Sequence, residues 1–378
     1  MEEEAAVKNM IATRFFRKSY QHILKPILFK IDPEKVHDFF VVAGEWFGRH
    51  RFFRNMTAKF FKYSHPMLNQ SLYGINFPNP VGLAGGFDKD ARLTQILPSV
   101  GFGYEEAGSI TGEPCAGNTG KRLWRLPESK SIRVYYGLKN EGCEKIATRL
   151  STQRFQFPIG INIAKTNCAE TAEDETGIKD YAKAFEVCTN LGDYFTVNIS
   201  CPNAYGGQPF TDPDKLDALM IRLDKINTEK PIFVKLSADL DNEQLDAIVE
   251  VCDKHRVHGF VVSNLTKQEK LDSIKQEEIE TGSQGGFSGQ PTAELSNKII
   301  AHLYKSYGDK YVIIGCGGIF TAGDAYEKIK QGATLVQLIT GMIFEGPQLI
   351  GEINKGLVDL LKRDGYQSIS EAIGAAHR

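Results

Sequence analysis

No run of eighteen or more apolar residues occurs in the 378-residue chain, so no stretch is expected to cross a bilayer as a helix. Metal-ligand spacing is missing too. The seven cysteines (Cys115, Cys143, Cys168, Cys188, Cys201, Cys252 and Cys316) are scattered and include no CxxC. That pattern argues against an iron–sulfur or zinc site and fits free thiols in a reducing compartment. No GxGxxG follows a strand-like run and no P-loop is present, which argues against a dinucleotide-binding domain. A formal charge of −2 gives no global reason to expect nucleic acid. The start, Met1-Glu2-Glu3-Glu4, is acidic, unlike a secretory signal or a mitochondrial transit peptide.

What is present is a globular composition, 42% hydrophobic and 24% charged, in a chain of the size of one large α/β barrel or two ordinary domains. Charge is uneven. Residues 1–63 carry 12 Lys/Arg against 7 Asp/Glu, and they hold 10 of the 23 Phe. Two aromatic-basic clusters lie there, Arg14-Phe15-Phe16-Arg17-Lys18 and Arg51-Phe52-Phe53-Arg54. Asp32 suits an N-cap, Pro33 a first helical position and Gly48 a stop, while Pro26 starts or kinks a turn. Val36, Phe39, Phe40, Ala43, Trp46 and Phe47 fall on one helical face. The expectation is a helical module over 1–63 whose apolar face is too large for itself to bury. That face packs on the main domain or dips into a lipid headgroup layer, and both uses are open to it.

From Leu72 onward, short apolar runs alternate with amphipathic stretches. The runs are Pro80–Ala84, Gly103–Ser109, Ile159–Ile163, Tyr194–Ile199, Ile232–Leu236, Gly259–Ser263, Tyr311–Gly315 and Leu335–Ile339. Helices are expected over Asp174–Leu191, Asp214–Asn227, Asn242–His255 and Thr292–Tyr307. Eight strand–helix units point to a (β/α)8 TIM barrel over 70–378. The Gly-rich Thr281–Gly289 reads as a loop after the sixth run.

In such a barrel, groups just past each strand converge on one mouth. Val197-Asn198-Ile199-Ser200-Cys201-Pro202-Asn203 is the centre of the pattern: a β-branched run that breaks at Pro202 and leaves a thiol, two carboxamides and a hydroxyl at a strand's end. Lys89, Ser109, Asn162, Lys235, Ser263, Asn264 and Thr340 join them, with glycines at 317, 318 and 341. The ring is rich in Asn and Lys and has no His and few carboxylates, which suits hydrolysis and metal chemistry poorly. It suits a planar, anionic cofactor: Gly loops turn N–H groups to a phosphate, and a strand Lys neutralises an isoalloxazine anion.

The motifs NPVGLAGGFDKD (79–90), GINIAKT (160–166), NISCPN (198–203), VKLSADL (234–240), SNLT (263–266), GGFSGQP (285–291), IIGCGGI (313–319) and GATLVQLITGMIFEGP (332–347) resemble dihydroorotate dehydrogenase, in order across residues 70–350. The resemblance implies an FMN-dependent barrel that oxidises dihydroorotate to orotate in pyrimidine synthesis. DPEKVHDFF (32–40) and KRLWRLPES (121–129) resemble the quinone-dependent class, whose N-terminal module meets the membrane and admits quinone. The resemblance then implies a protein on the cytoplasmic, inner face of the cell membrane, and allows a homodimer.

The residue roles it implies are these. Cys201 is the catalytic base. Lys89, Asn198, Asn203 and Asn264 bind substrate. Ala84, Gly85, Lys89, Ser109, Asn162, Asn198, Lys235, Ser263, Gly289, Gly317, Gly318, Thr340 and Gly341 bind FMN, and Arg125 lines the quinone channel. Three positions depart from the quinone class: Cys201 replaces its usual Ser, Val134 replaces a substrate-binding Asn, and Ile339 replaces a Tyr. The loop 206–214 is similar to the soluble class that passes electrons to NAD through a partner subunit. The module favours quinone and this loop a soluble acceptor; the expectation is quinone. Rival readings are a flavin-dependent dihydropyrimidine or tRNA-dihydrouridine enzyme, the latter disfavoured by the acidic barrel, and a non-catalytic flavin-binding scaffold.

Overall fold

The apolar runs form a closed barrel of eight parallel strands in this computed structural model, which describes residues 16–378. The strands are Val81–Leu83 (β1), Tyr104–Ile110 (β2), Ile159–Ile163 (β3), Tyr194–Asn198 (β4), Ile232–Leu236 (β5), Gly259–Val262 (β6), Val312–Cys316 (β7) and Leu335–Leu338 (β8). Neighbours pair in chain order, and β8 closes on β1. Each lies within one residue of its expected run, because strands covered on both faces read as continuous apolar segments.

Alternation along the strands builds layers inside the barrel. Tyr104, Tyr194, Phe233 and Leu335 fill the N-terminal end with Phe77. Two residues further on come Glu106, Thr196, Lys235 and Gln337, a polar layer with no exposure beyond a few per cent. The expected helices form over Asp174–Cys188, Pro213–Asp224, Asn242–Cys252 and Ala293–Tyr307. Three of them end three residues early. Each closes instead with a tighter i→i+3 turn, as when Leu191 N–H donates to Cys188 O at 2.8 Å and His255 N–H to Cys252 O at 3.1 Å.

A three-stranded antiparallel sheet of Leu123–Leu126, Ser131–Val134 and Gly286–Phe287 overlies the mouth. It corrects the reading of Thr281–Gly289 as loop throughout. Gly286 and Phe287 pair with Val134 and Arg133, which lie some 150 residues away in sequence and leave no local signal.

The N-terminal module has helices at Pro33–Arg49 (α1) and Arg51–Phe61 (α2), preceded by Tyr20–Leu24 and Lys25–Leu28. The first four residues, and Arg14-Phe15 of the first aromatic-basic cluster, lie outside the described residues. Asp32 caps α1 by accepting from Glu34 N–H and Lys35 N–H, both at 3.0 Å, with Pro33 at the first position. Pro26 follows a wide π turn and sits in the first turn of the next short helix, a position that suits proline. Gly48 is not the stop: the helix runs to Arg49. A Cβ there would lie 3.1 Å from Gln95 Cβ and 3.2 Å from Ile96 N, so close approach to the barrel explains the glycine.

Polar contacts fasten the inner side of the module. Glu34 accepts from Arg122 and from Lys139 (2.9 Å), Glu45 from Arg92 (2.7 Å), and Tyr20 Oη donates to Ile343 O (2.6 Å). Outward, Phe39, Trp46 and Phe52 are 65%, 48% and 67% exposed. Among the described residues, no helix is long and apolar enough to cross a membrane.

Candidate active site

One cavity of about 720 Å³ runs from the module to the C-terminal end of the barrel. Val36, Phe40 and Phe47 of α1 line one end; Cys201, Lys235 and Gly317 line the other. Strand ends open into this space because each backbone leaves the sheet there, freeing side chains to point inward.

At the barrel end, Asn198 and Asn264 belong to one network. Asn198 Nδ2 donates to Ser109 Oγ at 2.9 Å, and Asn198 Oδ1 accepts from Ser200 N–H (3.2 Å) and Ser200 Oγ (3.1 Å). Asn264 Nδ2 reaches Ser200 Oγ at 3.1 Å and Asn198 Oδ1 at 3.4 Å. Asn203 Nδ2 donates to the backbone oxygen of Val134 at 2.8 Å. At Val134, the position with no Asn side chain, the main chain therefore holds a neighbouring Asn in place. Cys201 stands among these groups. Burial pushes its thiol up, opposed by a backbone hydrogen bond from Asn203 and by the Lys165 ammonium.

Beneath them the polar layer is tied together by Glu106. Its carboxylate accepts from Asn162 Nδ2 (2.5 Å), Thr196 Oγ1 (3.0 Å) and Gln337 Nε2 (2.9 Å), and lies 3.6 Å from Lys235 Nζ. Lys235 is thus a buried cation with a buried counter-charge, its ammonium at the cavity wall. Asn162 does not reach that wall; it sits under Gly85, held by Glu106. The oxygens Asn162 Oδ1 and Gln337 Oε1 find no partner among the described residues.

Ala84, Gly85, Ser263, Gly289, Gly317, Gly318, Thr340 and Gly341 also line the cavity. At Gly317 φ is +113°, and a Cβ would sit 2.5 Å from Thr292 Oγ1; at Gly341 it would sit 1.9 Å from Ile319 O. These loops pack so tightly that only glycine backbone fits, leaving a shallow cradle beside Ser288 Oγ, which is 2.8 Å from Thr340 Oγ1. A planar group with an anionic tail fits this set: a glycine cradle at one end, and the Lys235 ammonium and amide donors along the rest.

Two expected residues point toward the module. The Lys89 ammonium lies 3.9 Å from the centre of the Tyr136 ring and 3.3 Å from His37 Nε2, and burial pulls it down to about 8. Arg125 stacks over Phe29 at 4.8 Å and donates to Ile31 O at 2.7 Å. His37, Tyr136 and Glu106 were not singled out from sequence. Glu106 had a signal, a carboxylate inside an apolar run. His37 had a fainter one, an imidazole on the otherwise apolar side of α1, where its Nε2 meets Phe87 O at 2.8 Å. Among the described residues no group of three or more His, Cys, Asp or Glu is arranged to hold a metal.

The family model described as dihydroorotate dehydrogenase matches residues 67–361. A protein of Gloeobacter violaceus named dihydroorotate dehydrogenase (quinone) is 37% identical over 358 residues, 94% of this chain and 98% of that one. One of the same name from Trichodesmium erythraeum is 36% identical over 379 residues, 95% and 99% of the two chains. The ligand-free DHODH structure of Eimeria tenella superposes with a TM-score of 0.82 at 27% identity, covering 92% of this chain and 100% of that one. With the match spanning the barrel, its mouth and the helices that precede it, the chain belongs to the dihydroorotate dehydrogenase family.

Proposed function

We propose that this protein oxidises (S)-dihydroorotate to orotate for pyrimidine synthesis, with FMN as its flavin and a membrane quinone as electron acceptor. The observation that carries the reading is the single cavity, which joins a thiol-and-amide pocket to an apolar helical module. A flavin held at the glycine cradle would supply the hydride acceptor. Gly289, Gly317, Gly318, Thr340 and Gly341 would hold its phosphate, and Lys235 and Ser109 its ring edge.

Cys201 takes the C5 proton. That C–H bond lies beside a carbonyl, and a thiolate is more readily formed as the base than an alkoxide, since an ordinary thiol titrates near ~8.5 and a hydroxyl far above neutrality. As the C5–H bond breaks, an S–H bond forms, and the electron pair left on carbon becomes the ring double bond while hydride departs from C6. Asn198, Asn203 and Asn264 present donor and acceptor together, which matches the alternating N–H and C=O edge of a pyrimidine ring. Because burial raises the Cys201 thiol, the proton-transfer step speeds up as pH rises toward that raised value.

The exposed face of the module docks on the inner leaflet of the cell membrane, and quinone reaches the flavin between α1 and Arg125. Anaerobic mixing tests the reading. Dihydroorotate bleaches the yellow protein, and decylubiquinone restores the colour faster than fumarate or NAD. A colourless purified protein, or a flavin that dihydroorotate leaves oxidised, contradicts it.

A further inference from the structure

The loop after β4 has no regular structure between Asn203 and Tyr205, yet three side chains from other loops hold its backbone. Asn118 Nδ2 donates to Asn203 O at 3.0 Å, Tyr205 N–H donates to Asn167 Oδ1 at 2.6 Å, and Lys165 Nζ donates to Tyr205 O at 2.7 Å. Asn167 Nδ2 also donates to Asn118 Oδ1 at 2.9 Å, so the two amides act as a pair.

Lys165 differs from its companions. It is 3% exposed, and its other hydrogen bond goes to Thr171 O at 3.0 Å, so both of its acceptors are carbonyls. Burying an ammonium without a counter-charge is costly, and a neutral amide would bridge two carbonyls at less cost. The groups whose charge reaches it are Cys168, Cys201, Asp180 and Asp174. Both carboxylates are engaged elsewhere. Asp180 accepts from Thr166 N–H (2.6 Å), Thr166 Oγ1 (2.8 Å) and Gly112 N–H (3.2 Å), and Asp174 pairs with Lys215 at 2.8 Å. Of the two thiols, Cys168 is committed to Thr171 Oγ1 at 3.6 Å. Cys201 remains. Seen from Cys201, the charged or titratable neighbours are Lys165, Cys115 and Lys267, and Lys165 is the leading cation among them.

We propose that Lys165 is a positioning residue for Cys201: it straps the loop through Tyr205, and its charge favours the thiolate, the form able to accept the substrate proton. The proposal rests on Cys201 as the base, but its test does not need substrate. Iodoacetamide modification of Cys201 in the flavin-loaded protein, followed by mass spectrometry of its peptide across pH, reads the thiolate fraction directly. Limited proteolysis between 203 and 208 reads the strap.

Lys165→Gln keeps a donor for the carbonyl without the charge, and Lys165→Met removes both. Both raise the midpoint of modification by about one pH unit, roughly tenfold slower labelling at fixed pH below it. Only Lys165→Met speeds cleavage of the loop. Asn167→Ala speeds cleavage and leaves the midpoint in place. A wild-type midpoint in folded Lys165→Gln overturns the proposal, whatever happens to Lys165→Met. Failure of dihydroorotate to bleach the wild-type flavin would instead overturn the base assignment while leaving the labelling result intact.

Discussion

At the barrel end of the cavity, polar groups are buried; at the module end, apolar groups are exposed. Glu106 and Lys235 are enclosed by the strands and answer one another, with Thr196 and Gln337 completing the set. In contrast, among the described residues 12 of the 16 exposed large hydrophobic side chains fall between Ile23 and Phe60. A soluble monomer rarely leaves so contiguous an apolar patch to water. The first arrangement holds charge out of water, and the second leaves apolar surface in contact with it. Joined by one cavity, they carry the proposed division of the reaction between a polar substrate and a lipid-soluble acceptor.

The sharpest way to break the division is at the thiol. Cys201→Ala keeps its flavin and loses reduction by dihydroorotate by about 10²–10⁴-fold in stopped flow, while Cys201→Ser retains part of the rate, more of it at high pH. Glu106→Gln probes the buried pair beneath it. It leaves the Lys235 ammonium without a counter-charge at a cost of about 3–5 kcal/mol, read by chemical denaturation. At the other end, Trp46→Ser with Phe52→Ser removes two exposed rings that do not line the cavity. Partition onto anionic vesicles falls by about 10–10²-fold, with the rate of flavin reduction by dihydroorotate unchanged.

The smallest effect is expected where the two regions meet. Burial alone would raise the Glu34 carboxyl, but hydrogen bonds from Arg122 and Lys139 outweigh it and hold it below its ordinary value. A carboxyl lowered in the folded state contributes stability that is complete above its ordinary value of 4.5 and is lost as pH falls through the lowered one. The module therefore loosens on acidification. Glu34→Gln removes this pH dependence at a cost of about 1 kcal/mol or less, detectable by hydrogen exchange in α1.

The barrel was legible because strands buried on both faces are written as continuous apolar runs, as at Ile159–Ile163 and Ile232–Leu236. The ring of Cys201, Asn198, Asn203 and Asn264 was legible because it sits just past such runs. What escaped sequence reading depends on partners far along the chain. Gly286-Phe287 becomes a strand only against Val134 and Arg133, and Glu106 makes sense only beside Lys235 and Gln337. His37 was hidden for the same reason: its contacts, Phe87 O and Lys89, arrive from the barrel.

Separate measurement of the two half-reactions in Cys201→Ala and Val36→Trp tests the division of labour most directly, since Val36 lines the module end of the cavity and Cys201 the barrel end. The account predicts a crossed result: Cys201→Ala slows reduction by dihydroorotate but not reoxidation by decylubiquinone after photoreduction, and Val36→Trp does the reverse. Two variants that slow the same half-reaction would contradict it.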